Sequence, residues 1–223
     1  MKTGLWAVGC GLWIAALLLV PLTAGADSVF DHPASAAQLE KDLAPATATL
    51  RMAQTLRGAY RQDKKLHEVP KPLVAEGTFL FARDTGILWR TVKPFASELA
   101  ITRDQIVQRE GDGTTFRIAA EQQPGVRTVA GIFFAVFALD FDALGSQFEL
   151  FSRPLKAPAG AWELGLKPRA GGGPVRDIVV SGRAQVDRVR LDGSDGDITD
   201  IHLRDARASP APPTAEELGA FKS

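Results

Sequence analysis

Cysteine is nearly missing from this chain of 223 residues: its single copy, Cys10, lies in the first apolar stretch. With that stretch removed, no disulfide, thiol nucleophile or thiolate metal site is possible, and stability must come from burial. Net charge is missing too, with 26 Lys and Arg against 26 Asp and Glu. This argues against a nucleic-acid partner, because phosphate binding needs a surplus of cations on at least one face. Histidine is scarce, and no two of His32, His67 and His202 stand at metal-ligand spacing. There is no Gly-x-Ser-x-Gly elbow and no phosphate loop. Asp192-Gly-Ser-Asp-Gly-Asp197 fails as a calcium loop, because Leu191 falls where the first carboxylate is needed, and it reads as a hairpin turn. Glu76, Glu98, Glu149 and Glu163 read as exposed strand positions. The sequence therefore predicts no metal, no cofactor and no enzyme.

What is present begins with a secretory signal over residues 1–26. Lys2 precedes an apolar run from Leu12 to Leu22, and Ala24-Gly25-Ala26 is a small-residue cleavage site before Asp27. The run is too short for a membrane span, which needs ~20 residues. It follows Cys10 rather than preceding it, which favours soluble export over a lipid-anchored cysteine. One domain is expected over 27–208, then a Pro-rich polar tail over 209–223.

Leu39, Leu43, Ala46, Leu50, Ala53 and Leu56 recur at spacings of three and four, as on an amphipathic helix. Pro45 interrupts that pattern, so the helix proper is expected from about Ala46 to Tyr60, with the charged run Arg61 to Lys65 as a solvated exit toward the sheet. Beyond Pro72 the pattern is alternating. Leu73, Ala75, Gly77, Phe79, Phe81 and Arg83 share one face of a strand, and Asp84-Thr-Gly86 turns the chain into Ile87 to Thr91. Similar alternation at Leu99/Ile101, Ile106, Phe116/Ile118, Phe148/Leu150, Trp162/Leu164/Leu166, Ile178/Val180, Val189/Leu191 and Ile201/Leu203 predicts nine or ten antiparallel strands. Eleven consecutive apolar residues, Val129 to Leu139, break this rhythm. They read either as a core helix or buried strand, or as the lining of a cavity for an apolar ligand. Arg83 ends the face that bears Phe79 and Phe81, which puts a guanidinium with five donors at the margin of an apolar wall. If the strand simply ends there, Arg83 reaches water instead.

These residues resemble a known family. Tyr60-Arg-Gln-Asp-Lys64, Gly77-Thr-Phe-Leu-Phe81 and Arg83-Asp-Thr-Gly-Ile-Leu-Trp89 with Pro94 are similar to the motifs of the LolA-type carriers of outer-membrane lipoproteins. Trp162-Glu-Leu-Gly-Leu-Lys-Pro168 and Gly196-Asp-Ile-Thr-Asp-Ile201 resemble the later half of the same family, so the likeness runs from about Leu50 to Leu203. The sequence departs from the family in having Asp84 where proline is usual, and in showing no clear strand after Leu203. The resemblance implies an α+β fold, mainly antiparallel: an incomplete, half-open β-barrel whose concave apolar face is covered by helices. It implies a periplasmic monomer that takes acylated lipoproteins, or another lipid, from an inner-membrane ABC-type complex to an outer-membrane receptor. It also implies that Arg83 hydrogen-bonds to the covering helices and controls a lid.

On this reading Phe79, Phe81, Trp89, Leu99, Ile101, Phe133, Phe137 and Phe141 line the cavity and Arg83 biases the lid. Two other readings keep the fold: a lipid-anchored outer-membrane acceptor, and an envelope assembly protein that binds no lipid.

Overall fold

The computed structural model describes residues 27–222 other than 114, 120–130, 132 and 157, so the expected signal lies outside the described residues. A single antiparallel sheet of twelve strands dominates it. The strands are β1 (Pro33–Ala34), β2 (Thr55–Lys65), β3 (Leu73–Ala82), β4 (Gly86–Lys93), β5 (Ser97–Ile101), β6 (Gln105–Glu110) and β7 (Thr115–Ala119), then β8 (Phe148–Pro154), β9 (Trp162–Pro168), β10 (Val175–Gly182), β11 (Val186–Gly193) and β12 (Ile198–Ser209). Two meanders, β2 to β7 and β8 to β12, join where β12 pairs with β2, Leu203 standing opposite Tyr60. β1 adds to β8, and β1 and β7 remain as edges, so the barrel is incomplete.

This order forces the helices onto the sheet. The chain leaves β7 at one edge and resumes in β8 near the other, so the connection must traverse the sheet. It carries α2 (helical at 133–138) and α3 (Phe141–Gln147). α1 (Ala36–Met52) likewise runs from the β1 edge to the central β2. Leu39, Leu43 and Leu50 of α1, Val136 and Phe137 of α2, and Phe141 and Leu144 of α3 share one buried apolar cluster with the inward residues of the strands. All three helices therefore cover the same face. Among the described residues, no helix is long and apolar enough to cross a membrane.

Two sequence expectations shift. The first helix spans Ala36–Met52 rather than 46–60, and continues through Pro45. An interior proline costs about 3 kcal/mol, but Leu39 and Leu43 before it and Leu50 after it are all buried, which outweighs the break. Ser35 caps the start by accepting the Gln38 N–H at 3.2 Å. Tyr60 and the charged run that follows belong to β2. That strand brings the count to twelve with the two-residue β1, rather than nine or ten. It escapes period-two reading because Gly58 interrupts the inward Leu56 and Tyr60, while its outward side is ionic: Arg61 bonds Asp63 at 2.9 Å and Glu76 at 2.8 Å.

The end of the chain differs as well. The stretch 209–223, expected as a tail, holds α4 (Ala215–Lys222), which packs on the opposite face of the sheet. Phe221 joins Leu80, Ala82, Leu88, Ala100 and Val107 in a second, smaller cluster. Gly86 makes room for it, since a β-carbon there would lie 2.7 Å from the Phe221 ring. Thr214 and Glu217 form a reciprocal cap: the Thr214 N–H donates to the Glu217 carboxylate at 2.7 Å, and the Glu217 N–H donates to the Thr214 hydroxyl at 3.2 Å. Glu217 also receives two N–H groups of Arg57, at 2.7 and 2.8 Å.

Chiefly through that arginine, the Glu217 carboxyl is held down at about 2 against an ordinary 4.5. A depressed carboxyl stabilises above its ordinary value, and the contribution is lost as pH falls through the folded value. Docking of α4 should thus weaken between pH 4.5 and about 2. Glu217→Gln should cost about 1 kcal/mol at neutral pH and flatten that acid dependence, as followed by limited proteolysis at the C-terminus.

Candidate functional site

The inner wall is built by alternation. On β3, Phe79 and Phe81 point to the helices while Leu80 and Ala82 point to α4. On β4 and β5 the inward residues are Ile87, Trp89, Leu99 and Ile101, and the register sets Phe79 opposite Trp89 and Trp89 opposite Leu99. A chain of aromatic contacts follows. Tyr60 lies 4.2 Å from Trp89, Trp89 lies 5.8 Å from Phe79, and Phe137 of α2 sits against Phe79 at 5.8 Å and Phe81 at 5.7 Å. Phe81 then meets Phe134 edge-on at 6.2 Å. Such contacts add about 0.5–1.5 kcal/mol each beyond area burial. The Tyr60 hydroxyl is satisfied at 2.7 Å by Thr91, and burial raises its pKa.

Phe137 is the plug. It is 2% exposed and stands between Phe79 and Phe81 in the middle of the wall. Beside it remains a void of about 40 Å³ with a wholly apolar lining. Trp89, Phe133 and Phe137 face it from one side, and Ile178, Leu191 and Leu203 from the other. Ligand pockets usually measure about 300–1,000 Å³, so this void is far below that size and the space between α2 and the wall is packed by side chains.

A larger cleft of about 470 Å³ opens beside Phe81. Its floor includes Phe81, Phe134, Ala135 and Ala138, and its rim carries Arg83, Arg103, Asp104 and Asp140. Phe81 lines this cleft but not the small void, and its ring stacks on Phe137, which lines the void.

α2 ends in a strained corner. The Leu139 N–H donates to Val136 and the Asp140 N–H to Ala135, which is a Schellman closure normally made with glycine. Leu139 instead holds φ at 50° and is fully buried. A left-handed leucine costs about 1–2 kcal/mol, and its burial offsets that cost only while α2 stays docked. Asp140 then caps α3, accepting the Ala143 N–H at 3.0 Å.

Arg83 latches α1. Its Nη2 donates to the Leu50 carbonyl at 2.8 Å and its Nε to the Ala53 carbonyl at 3.0 Å, while its backbone N–H bonds Gln54 at 3.0 Å. The Leu50 carbonyl lies in the final turn of α1, at the negative end of its dipole, where it also accepts the Ala53 N–H at 3.2 Å, while Ala53 is the extended residue that caps the helix. The guanidinium therefore spans from the β3–β4 turn to the helical cover and does not simply reach water.

All eight predicted wall residues lie in, or pack against, the one inner cluster. Trp89, Phe133 and Phe137 line the void and Phe81 lines the cleft, whereas Phe79, Leu99, Ile101 and Phe141 belong to the packed layer around them. Of the apolar run Val129 to Leu139, residues 129, 130 and 132 lie outside the described residues. The β10–β12 side of the void was not assigned from the sequence, although the alternation at Ile178, Leu191 and Leu203 was the available signal. Tyr60 was missed because it was placed on the helix. Arg103 and Phe134 had no signal of their own. Among the described residues, no group of three His, Cys, Asp or Glu side chains is gathered as a metal ion requires.

No protein-family model and no curated sequence matches the chain. Among solved structures, it is similar to a putative outer membrane lipoprotein-sorting protein domain from Vibrio parahaemolyticus, with 9% identity, a TM-score of 0.43, and 88% of this chain and 100% of that one covered. It is also similar to a LolA superfamily protein from Nitrosomonas europaea, with 6% identity, a TM-score of 0.39, and 75% and 94% covered. A third is the MucA/MucB complex of Pseudomonas aeruginosa, with 14% identity, a TM-score of 0.44, and 82% and 60% covered. The fold is an open antiparallel barrel roofed by helices. That is the architecture the motif resemblance implies.

Proposed function

We propose that the protein is a periplasmic acyl-chain carrier of LolA type, which shelters the lipid tails of a lipoprotein or related lipid between its inner wall and its helical cover. The observation that carries this is the placement of Phe137: a helix, rather than the sheet, supplies the ring that fills the groove, so moving one helix exposes a continuous apolar wall. Each methylene moved from water into that wall contributes ~0.8 kcal/mol. A chain of a dozen carbons can therefore compete with the docking of α2. Release needs the opposite shift, and a cover with two positions provides it. Arg83 holds the neighbouring helix by hydrogen bonds that survive only while the cover is seated. The reading assigns no bond-making step to any residue. It implies a monomer that meets an inner-membrane releasing complex and an outer-membrane receptor in turn.

The test is titration of a fluorescent fatty acid into wild type and into Phe81→Asp, with Phe134→Asp as a half-exposed alternative that spares the core. Both variants should bind at least about tenfold more weakly, because a carboxylate must be desolvated by the incoming chain. Equal affinity in variants that retain the wild-type circular dichroism spectrum would overturn the site.

A further inference from the structure

The cleft beside Phe81 has a rim of unusual composition. Four charges from three places in the fold face it: Arg83 from the β3–β4 turn, Arg103 and Asp104 from the β5–β6 turn, and Asp140 from the corner between α2 and α3. Two of these are occupied by the protein. Arg83 is bound to the carbonyls of Leu50 and Ala53, and the Asp140 carboxylate accepts the Ala143 N–H. The other two are not. Among the described residues no carboxylate pairs with Arg103, whose guanidinium lies over the Phe134 ring at 5.9 Å. The Asp104 carboxylate likewise has no cationic partner among them; only its backbone N–H is engaged, by the Thr102 hydroxyl at 3.3 Å.

One cation and one anion without charged partners among the described residues thus stand at the mouth of a cleft whose floor is aromatic and aliphatic. The volume, about 470 Å³, falls within the usual ligand range. A purely anionic head would meet Arg103 but face Asp104 and Asp140 as well, and a neutral head would leave both charges unused. We propose that this cleft seats the zwitterionic phosphoester head of an amphiphile, with the phosphate on Arg103 and the ammonium on Asp104, while the tail passes Phe134 and Phe81 toward the inner groove. Arg suits the phosphate because its fork of donors matches the oxygens. This assignment rests on the acyl-carrier reading and names the class of ligand it would take.

Three probes with one lauroyl-glycerol tail separate the possibilities: monolaurin, which is neutral, lauroyl-lysophosphatidic acid, which is anionic, and lauroyl-lysophosphatidylethanolamine, which is zwitterionic. Each is titrated below its micelle concentration into wild type, Arg103→Gln and Asp104→Asn, both exposed positions whose replacement leaves the core intact. Wild type should bind the zwitterion roughly fivefold to tenfold tighter than monolaurin, the range expected of a charge-assisted pair at a half-open site. Arg103→Gln should abolish that preference, so that the variant binds the zwitterion no tighter than it binds monolaurin. Asp104→Asn should remove the advantage of the zwitterion over the anion. Equal binding of all three probes overturns the headgroup assignment while leaving the acyl reading intact. Binding of none overturns both.

Discussion

Phe137→Ala is expected to lower the unfolding free energy by about 3–5 kcal/mol, the usual cost of emptying a buried phenylalanine site. The same change should tighten the binding of a fluorescent fatty acid. The ring is fully buried between Phe79 and Phe81, so its removal takes away both contacts and enlarges a void that already lies beside it. In an ordinary core the first effect arrives alone. In a groove occupied by its own cover the two are coupled, because what α2 loses in docking the ligand no longer has to displace. Denaturant unfolding and titration on the same preparation decide the matter. Destabilisation with unchanged or weaker binding by the folded fraction would make Phe137 a core residue and nothing more.

Arg83→Leu should cost about 2–4 kcal/mol, since it deletes two hydrogen bonds from a charged donor and leaves helix-end carbonyls to find water. Leu50 keeps the Ala53 N–H at 3.2 Å, but Ala53 loses its guanidinium partner. The loss should be local, with amide exchange rising in the last turn of α1 before it rises in the strands. Arg83→Lys should recover only part of the loss, because a single ammonium on a flexible stem does not present the planar fork that spans the two carbonyls. Uniform loss of protection across the sheet would show that Arg83 supports the fold as a whole rather than latching the cover.

The readable parts of this protein were those whose evidence is local. The inward set on β3 could be seen because Phe79 and Phe81 alternate with Leu80 and Ala82, and placing Arg83 next in that series put its guanidinium at the margin of the apolar wall, while its bond to the helices was legible only through the motif resemblance. The outward set carried a second message that alternation alone could not convey. Leu80, Leu88, Ala100 and Val107 are apolar because α4 lies on them, and nothing near those strands announces a helix more than a hundred residues away. β2 was lost for a related reason: its outward charges are those of a solvated surface, whether that surface belongs to a strand or to a loop. The Pro45 break was overestimated because helix propensity is weighed without the packing on either side of it.

Period-two patterning, scarcity of thiols, balanced charge and the position of Arg83 belong to the sequence by itself, since each depends on residues a few positions apart. Tertiary structure alone decided that β12 pairs with β2 and that the β10–β12 wall therefore faces Trp89 across the void. It alone placed Phe137 in the groove and set Arg103 and Asp104 at the rim of a cleft. These outcomes depend on burial shared among strands and helices far apart in the chain, and that free energy exists only once all of them are assembled.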